Sequence, residues 1–117
     1  MQYEYFYGAQ AEQFSFYRIP KALFTEPNFR ELSTDAKVLY GILLDRISLS
    51  LKNQWLDAQN KVYIIFTVEE IMDALNCANQ KAMRLMVELE KQVGLIERKR
   101  QGLGRPNLIY KKTSQQR

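Results

Sequence analysis

The chain has 117 residues, 46% of them hydrophobic and 12% aromatic, with a formal net charge of +4. That is the length of one domain with enough apolar side chains to bury a core, which excludes a disordered tail. With no histidine and a single cysteine, Cys77, the sequence lacks the commonest general base, the Ser-His and Cys-His nucleophile pairs, the usual zinc ligand sets and any internal disulfide.

The first predicted element is an aromatic arm. In MQYEYFYGAQAEQFSFYRIP the side chains of Tyr3, Tyr5 and Tyr7 alternate at strand spacing, as do Phe14 and Phe16. Burying such a side chain contributes about 1.5–3 kcal/mol, so these aromatics either pack on their own domain or bury against a second copy. Tyr3, Tyr5, Tyr7, Phe14 and Phe16 are the candidate dimer contacts. Pro20 then opens a short helix, KALF, that stops before Pro27.

Residues 33–51 carry the clearest helical period. Ala36, Leu39, Tyr40, Leu43, Leu44, Ile47 and Leu51 fall on one face, with Ser33 or Thr34 as cap and Asp35 well placed against the helix dipole. The stretch NQWLDAQNKVYIIF predicts a hairpin, Trp55-Leu56 against Val62–Phe66 around a polar turn, Asp57–Lys61.

Thr67-Val68-Glu69-Glu70 is a capping box that starts a second helix, with Val68, Ile71, Met72 and Leu75 facing inward. Capping accounts for the adjacent carboxylates Glu69 and Glu70 without any catalytic role. NCANQ breaks the pattern, and a third helix over 79–93 buries Ala82, Leu85, Met86, Leu89 and Val93 before stopping at Gly94. Cys77, Met72, Met83 and Met86 read as packing residues. Leu95 to Lys112 then supplies a strand, a basic loop and a strand, and KKTSQQR is a polar tail.

This order defines an α+β fold, a winged helix-turn-helix: a three-helix core with a C-terminal β-hairpin wing and an extra N-terminal aromatic arm. The expected divisions are 1–32 for the arm and short helix, 33–112 for the winged domain, and 113–117 for a tail or the start of a linker.

Charge is distributed unevenly. Residues 1–94 carry ten Lys/Arg against twelve Asp/Glu, whereas residues 95–117 carry seven against one, the asymmetry of an electrostatic footprint. If the third helix enters a major groove, its buried face leaves Asn79, Gln80, Lys81, Met83, Arg84, Val87, Glu88 and Lys91 pointing elsewhere. Asn79 and Gln80 can bond adenine bidentately and Arg84 can bond guanine. Glu88 and Glu90 repel phosphates, so the second half of the helix is expected to leave the groove. In the hairpin, Lys99, Arg100 and Arg105 form the wing, with Arg105 directed at a minor groove. Lys81, Arg98, Lys111 and Lys112 are the expected phosphate contacts. Charges on an edge hairpin also deter aggregation, but six basic residues against Glu97 alone within Leu95–Lys112 exceed what an edge needs.

The segments FYRIPKALFTEPNFRELSTDAKVLYGILLDRISLSLKN, KVYIIFTVEEIMDALNC and GLIERKRQGLGRPNLIY together resemble the N-terminal domain of the RepA-N plasmid replication initiators of low-GC Gram-positive bacteria, from Phe14 to Tyr110. The resemblance implies a winged helix that binds repeated double-stranded sites (iterons) at a plasmid origin, usually as a homodimer. It also implies a separate C-terminal domain, absent here, that recruits host replication proteins. NCANQKAM departs from the more Gly- or Lys-rich turn of the family, so Asn79 and Gln80 are expected to set this chain's own target preference. Two other readings share the fold: a winged-helix transcriptional regulator, and a protein-interaction winged helix with no DNA target. No catalytic residue, cofactor, metal site or membrane partner is expected, and the expected location is the cytoplasm.

Overall fold

Helix α2, Thr34–Asn53, is the central element of the computed structural model, which describes residues 2–5 and 14–112. Ser33 caps it, the hydroxyl accepting from the Ala36 amide, and Asp35 sits in its positive first turn. Its inner face buries Ala36, Leu39, Tyr40, Ile42 and Leu43. Leu51, expected on that face, is exposed instead, and Ser50 takes the buried position in the last turn.

Before α2, helix α1 (Ala22–Thr25) and a 3-10 turn (Pro27–Phe29) carry Leu23, Phe29 and Leu32 into the same core. The chain leading into α1 crosses α2 at Gly41. A Cβ built there would meet the Arg18 carbonyl oxygen at 2.9 Å and the Ile19 side chain at 3.0 Å. Only glycine lets the two backbones approach this closely.

After α2 the expected Trp55 hairpin forms as a short pairing: a Leu56–Val62 bridge, with the Tyr63 amide donating to the Trp55 carbonyl and the Asp57 amide to the Lys61 carbonyl. The Asp57 carboxylate takes over the turn by accepting from the Gln59 and Lys61 amides. Strand β1, Tyr63–Ile64, finds its partner at the far end of the chain. The sheet order is β1-β3-β2, with β2 Ile96–Lys99 and β3 Leu108–Lys111. The register pairs Tyr63 with Tyr110, Ile64 with Ile109, and Lys99 with Leu108, all antiparallel.

Helix α3, Val68–Leu75, starts at Thr67 with both halves of the capping box formed. It ends at Asn76 in left-handed conformation, and α4 begins at Asn79. The predicted single helix over 79–93 is α-helical only through Val87, and Glu88–Gln92 widens into a π turn. Gly94 then stops the helix at φ +68. Leu85, Met86, Leu89, Ile71, Ile64 and Ile109 close the core between the helices and the sheet. No helix among the described residues is long and apolar enough to cross a membrane.

The aromatic arm departs from its expectation. Residues 2–5 and 14–18 form no strand, and Tyr3, Tyr5, Phe14, Phe16 and Tyr17 stand between 59% and 87% exposed. Tyr7 lies outside the described residues, as does the 113–117 tail.

Candidate nucleic-acid interface

Helix α4 presents Asn79, Gln80, Met83 and Arg84 to solvent, because Ala82, Leu85 and Met86 satisfy its inner face at helical spacing. Its cap position, Ala78, offers no side-chain acceptor to the first amides, which leaves backbone donors directed outward at that end. The capping box of α3 holds the neighbouring helix start in place.

The wing lies beside this helix end. Thr67 at the cap of α3, Val68 and Glu69 in its first turn, Asn79 from α4, and Arg98, Arg105, Pro106 and Asn107 from the hairpin line one open cleft of about 380 Å³. The sequence-predicted residues Asn79 and Arg105 are thereby brought together, and Asn107 joins them. Glu69 is the acid on the cleft wall. Gln80, Arg84, Lys99, Arg100, Lys111 and Lys112 are all exposed.

Two of the expected phosphate contacts already have partners. Arg98 donates from its side chain to Glu90 at 2.9 and 2.8 Å, and its amide donates to the same carboxylate at 3.1 Å. This half-buried pair ties the wing to the π turn, so the Arg98 guanidinium is committed within the fold. Burial pushes the Glu90 carboxyl up, but the Arg98 hydrogen bonds and charges outweigh that and hold it below the usual carboxylate range. Lys81 is bonded to Asp35 at 2.6 Å on a half-exposed surface, a pair that water and salt weaken.

Glu88 also differs from its expectation. It is buried, not solvent-facing, and its carboxylate accepts from the amide and hydroxyl of Ser33. The π turn brings Glu88 and Leu89 inward together. An acid expected to oppose phosphate is thus withdrawn from the surface.

The wing loop has features the sequence reading did not single out. Gln101 donates to the Pro106 carbonyl at 2.8 Å and closes the base of the loop. Above it, the Arg105 amide donates to the Gly102 carbonyl, making a four-residue turn, Gly102–Arg105. Leu103 stands at its apex, fully exposed at 101%. The only sequence signal for it was one apolar residue between two glycines.

A helix pair with an exposed polar second helix, flanked by a basic β-hairpin, defines a winged helix-turn-helix of the kind built for duplex recognition. The chain belongs to the family described as replication initiator protein A (RepA) N-terminus, whose pattern it matches over residues 15–117. It is similar to solved structures that include the following three. An N-terminal domain of a DNA-binding protein is 38% identical with a TM-score of 0.74, covering 89% of this chain and 85% of that one. A Rep–DNA complex is 40% identical with a TM-score of 0.74, covering 85% and 75%. An MDR initiator is 43% identical with a TM-score of 0.71, covering 85% and 77%. A 41 kDa protein of Lactobacillus helveticus is 30% identical over 92 residues, which are 79% of this chain and 26% of that relative. The chain therefore spans about a quarter of that relative's length.

Proposed function

We propose that this chain is the origin-binding domain of a plasmid replication initiator. The observation that carries the reading is the shared cleft: Asn79 at the start of α4 and Arg105 of the wing line one concave surface. Similarity to a Rep–DNA complex at 40% identity supports it.

In this mechanism no bond in the DNA is made or broken. The N-terminal half of α4 enters the major groove, where Asn79, Gln80 and Arg84 read base edges. Lys99, Arg100 and Arg105 grip the adjacent groove, and Lys81, Lys111 and Lys112 hold phosphates. Arg98 is a positioning residue that fixes the wing through Glu90. Two copies bind each repeat, and the exposed arm residues Tyr3, Tyr5, Phe14 and Phe16 bury against the partner. Several occupied repeats then present the rest of the initiator, which recruits host replication proteins, at high local concentration.

The test is fluorescence anisotropy of the protein against duplexes tiled across the replicon that encodes it, at two salt concentrations, with a scrambled control. Tight, salt-weakened binding confined to a repeated segment is expected, and Arg84→Ala with Arg105→Ala abolishes it. Equal, weak binding to every duplex overturns the reading.

A further inference from the structure

We propose that Leu103 is an apolar wedge that the wing drives between base pairs of the minor groove, kinking the duplex it grips. The inference rests on the DNA-binding reading above and adds a second mode of recognition to it, through the deformability of the DNA.

Leu103 is the most exposed hydrophobic residue among those described, at 101%. Turns normally carry polar residues at such an apex, and a solvated loop gains nothing from leucine there. Gly104, at φ +77, takes the turn position that requires a left-handed backbone, and Gly102 at φ +121 precedes the leucine. The Gln101–Pro106 hydrogen bond and the Arg105–Gly102 turn bond brace the loop from below.

The surroundings select the occupant. Lys99 and Arg100 below the turn and Arg105 at its end make the wing basic, which suits the negative minor groove. Arg105 lines the cleft that Asn79 also lines, and Leu103 stands outside that lining at the apex of the turn, so the apolar residue that leads the wing outward is Leu103. A protruding apolar side chain with flanking cations is the arrangement by which minor-groove proteins unstack a base step, bending DNA by about 20–90°. Steps that unstack easily, TA and CA/TG, would then be favoured beneath the wing without any hydrogen bond to their bases.

The experiment uses the duplex that binds best in the tiling series, labelled at its ends for energy transfer and carrying 2-aminopurine at one step at a time. Wild-type protein is expected to shorten the end-to-end distance and brighten 2-aminopurine at one step beneath the wing. Leu103→Ser is expected to bind roughly tenfold more weakly, to leave the duplex straight and to leave every 2-aminopurine dark, with an unchanged melting temperature. Leu103→Phe should restore both signals. Because the wedge is apolar, the ratio of wild-type to Leu103→Ser affinity should hold across salt concentrations, whereas the Arg105→Ala ratio changes. Leu103→Ser that binds and bends as wild type does overturns the wedge and leaves DNA binding intact. So does a Leu103→Ser variant whose only change is its oligomeric state without DNA, which would make the leucine a contact between copies. Wild type that binds no duplex overturns both readings.

Discussion

Glu88 holds Ser33 across 55 residues of sequence, its two carboxylate oxygens accepting from the Ser33 amide at 2.8 Å and hydroxyl at 2.9 Å. The Ser33 hydroxyl in turn accepts from the Ala36 amide, so a side chain of the π turn that follows α4 completes the cap of the central helix. Glu88→Ala leaves the Ser33 amide without its partner, a loss of about 1–3 kcal/mol. The melting temperature should fall by roughly 4–8 °C for each kcal/mol lost. Glu88→Gln keeps one acceptor oxygen and should recover much of the loss. DNA affinity per folded molecule should be unchanged in both, since Glu88 does not face outward.

This contact also marks where sequence reasoning runs out. Helical period identifies which positions can turn inward, but the partner that makes burying Glu88 favourable lies on another helix. Signals confined to a few residues were legible: the Ser33 cap, the Thr67–Glu70 capping box and the Gly94 stop all form. Pairings over long separations were not. The pairing of Tyr63 with Trp55 follows from their nearness in sequence and forms, the Tyr63 amide donating to the Trp55 carbonyl, whereas the pairing of β1 with β3 on its other edge does not follow from any local signal. In the site, the exposure of Asn79, Gln80, Arg84 and Arg105 followed from amphipathic spacing and loop chemistry. The commitment of Arg98 to Glu90 and of Lys81 to Asp35 did not.

Stability should fall in acid through two identified carboxylates. The Lys61 amide is the main group holding Asp57 below its ordinary value, helped by the Gln59 amide, the Tyr110 hydroxyl and the Lys61 charge against the opposing effect of burial. Glu90 is opposed most by burial yet is lowered by Arg98. Both release protons more readily folded than unfolded, so their stabilisation is fully present above the unfolded carboxylate range, about pH 4. It is lost as pH falls through the lower folded values. Urea midpoints measured against pH should show this decline, and Glu90→Gln or Asp57→Asn should make it shallower while lowering stability near neutrality.

Gly41→Ala tests the crossing of the N-terminal segment over α2. The added methyl meets backbone at Arg18, 2.9 Å away, and backbone yields less easily than a flexible side chain. Overpacking of this kind costs about 1–3 kcal/mol. Chemical denaturation should report that loss, and limited proteolysis should cut faster around residues 14–20.

The exposed arm should decide the oligomeric state. Phe14 and Phe16 are 71% and 65% exposed, so replacing both with serine removes no packing from the described core. Sedimentation should show a dimer for the wild type and a monomer for the double variant, with the melting temperature unchanged. A wild-type monomer at every concentration would remove the arm from the proposed mechanism.

Lys81 and Arg98 are both paired, and the difference in burial separates their roles. The Lys81–Asp35 pair is 41% and 51% exposed, whereas Arg98–Glu90 is 25% and 20% exposed. An exposed pair contributes under about 1 kcal/mol, little enough for Lys81 to exchange Asp35 for a phosphate on binding. Lys81→Ala should therefore leave the melting temperature nearly unchanged and reduce the salt slope of DNA affinity by about one phosphate contact. Asp35→Asn removes the competitor and should tighten binding at low salt. Arg98→Ala should do the reverse: it lowers stability by removing the Glu90 partner and leaves the salt slope of the folded protein as it was. An unchanged slope in Lys81→Ala would return that lysine to a purely structural role.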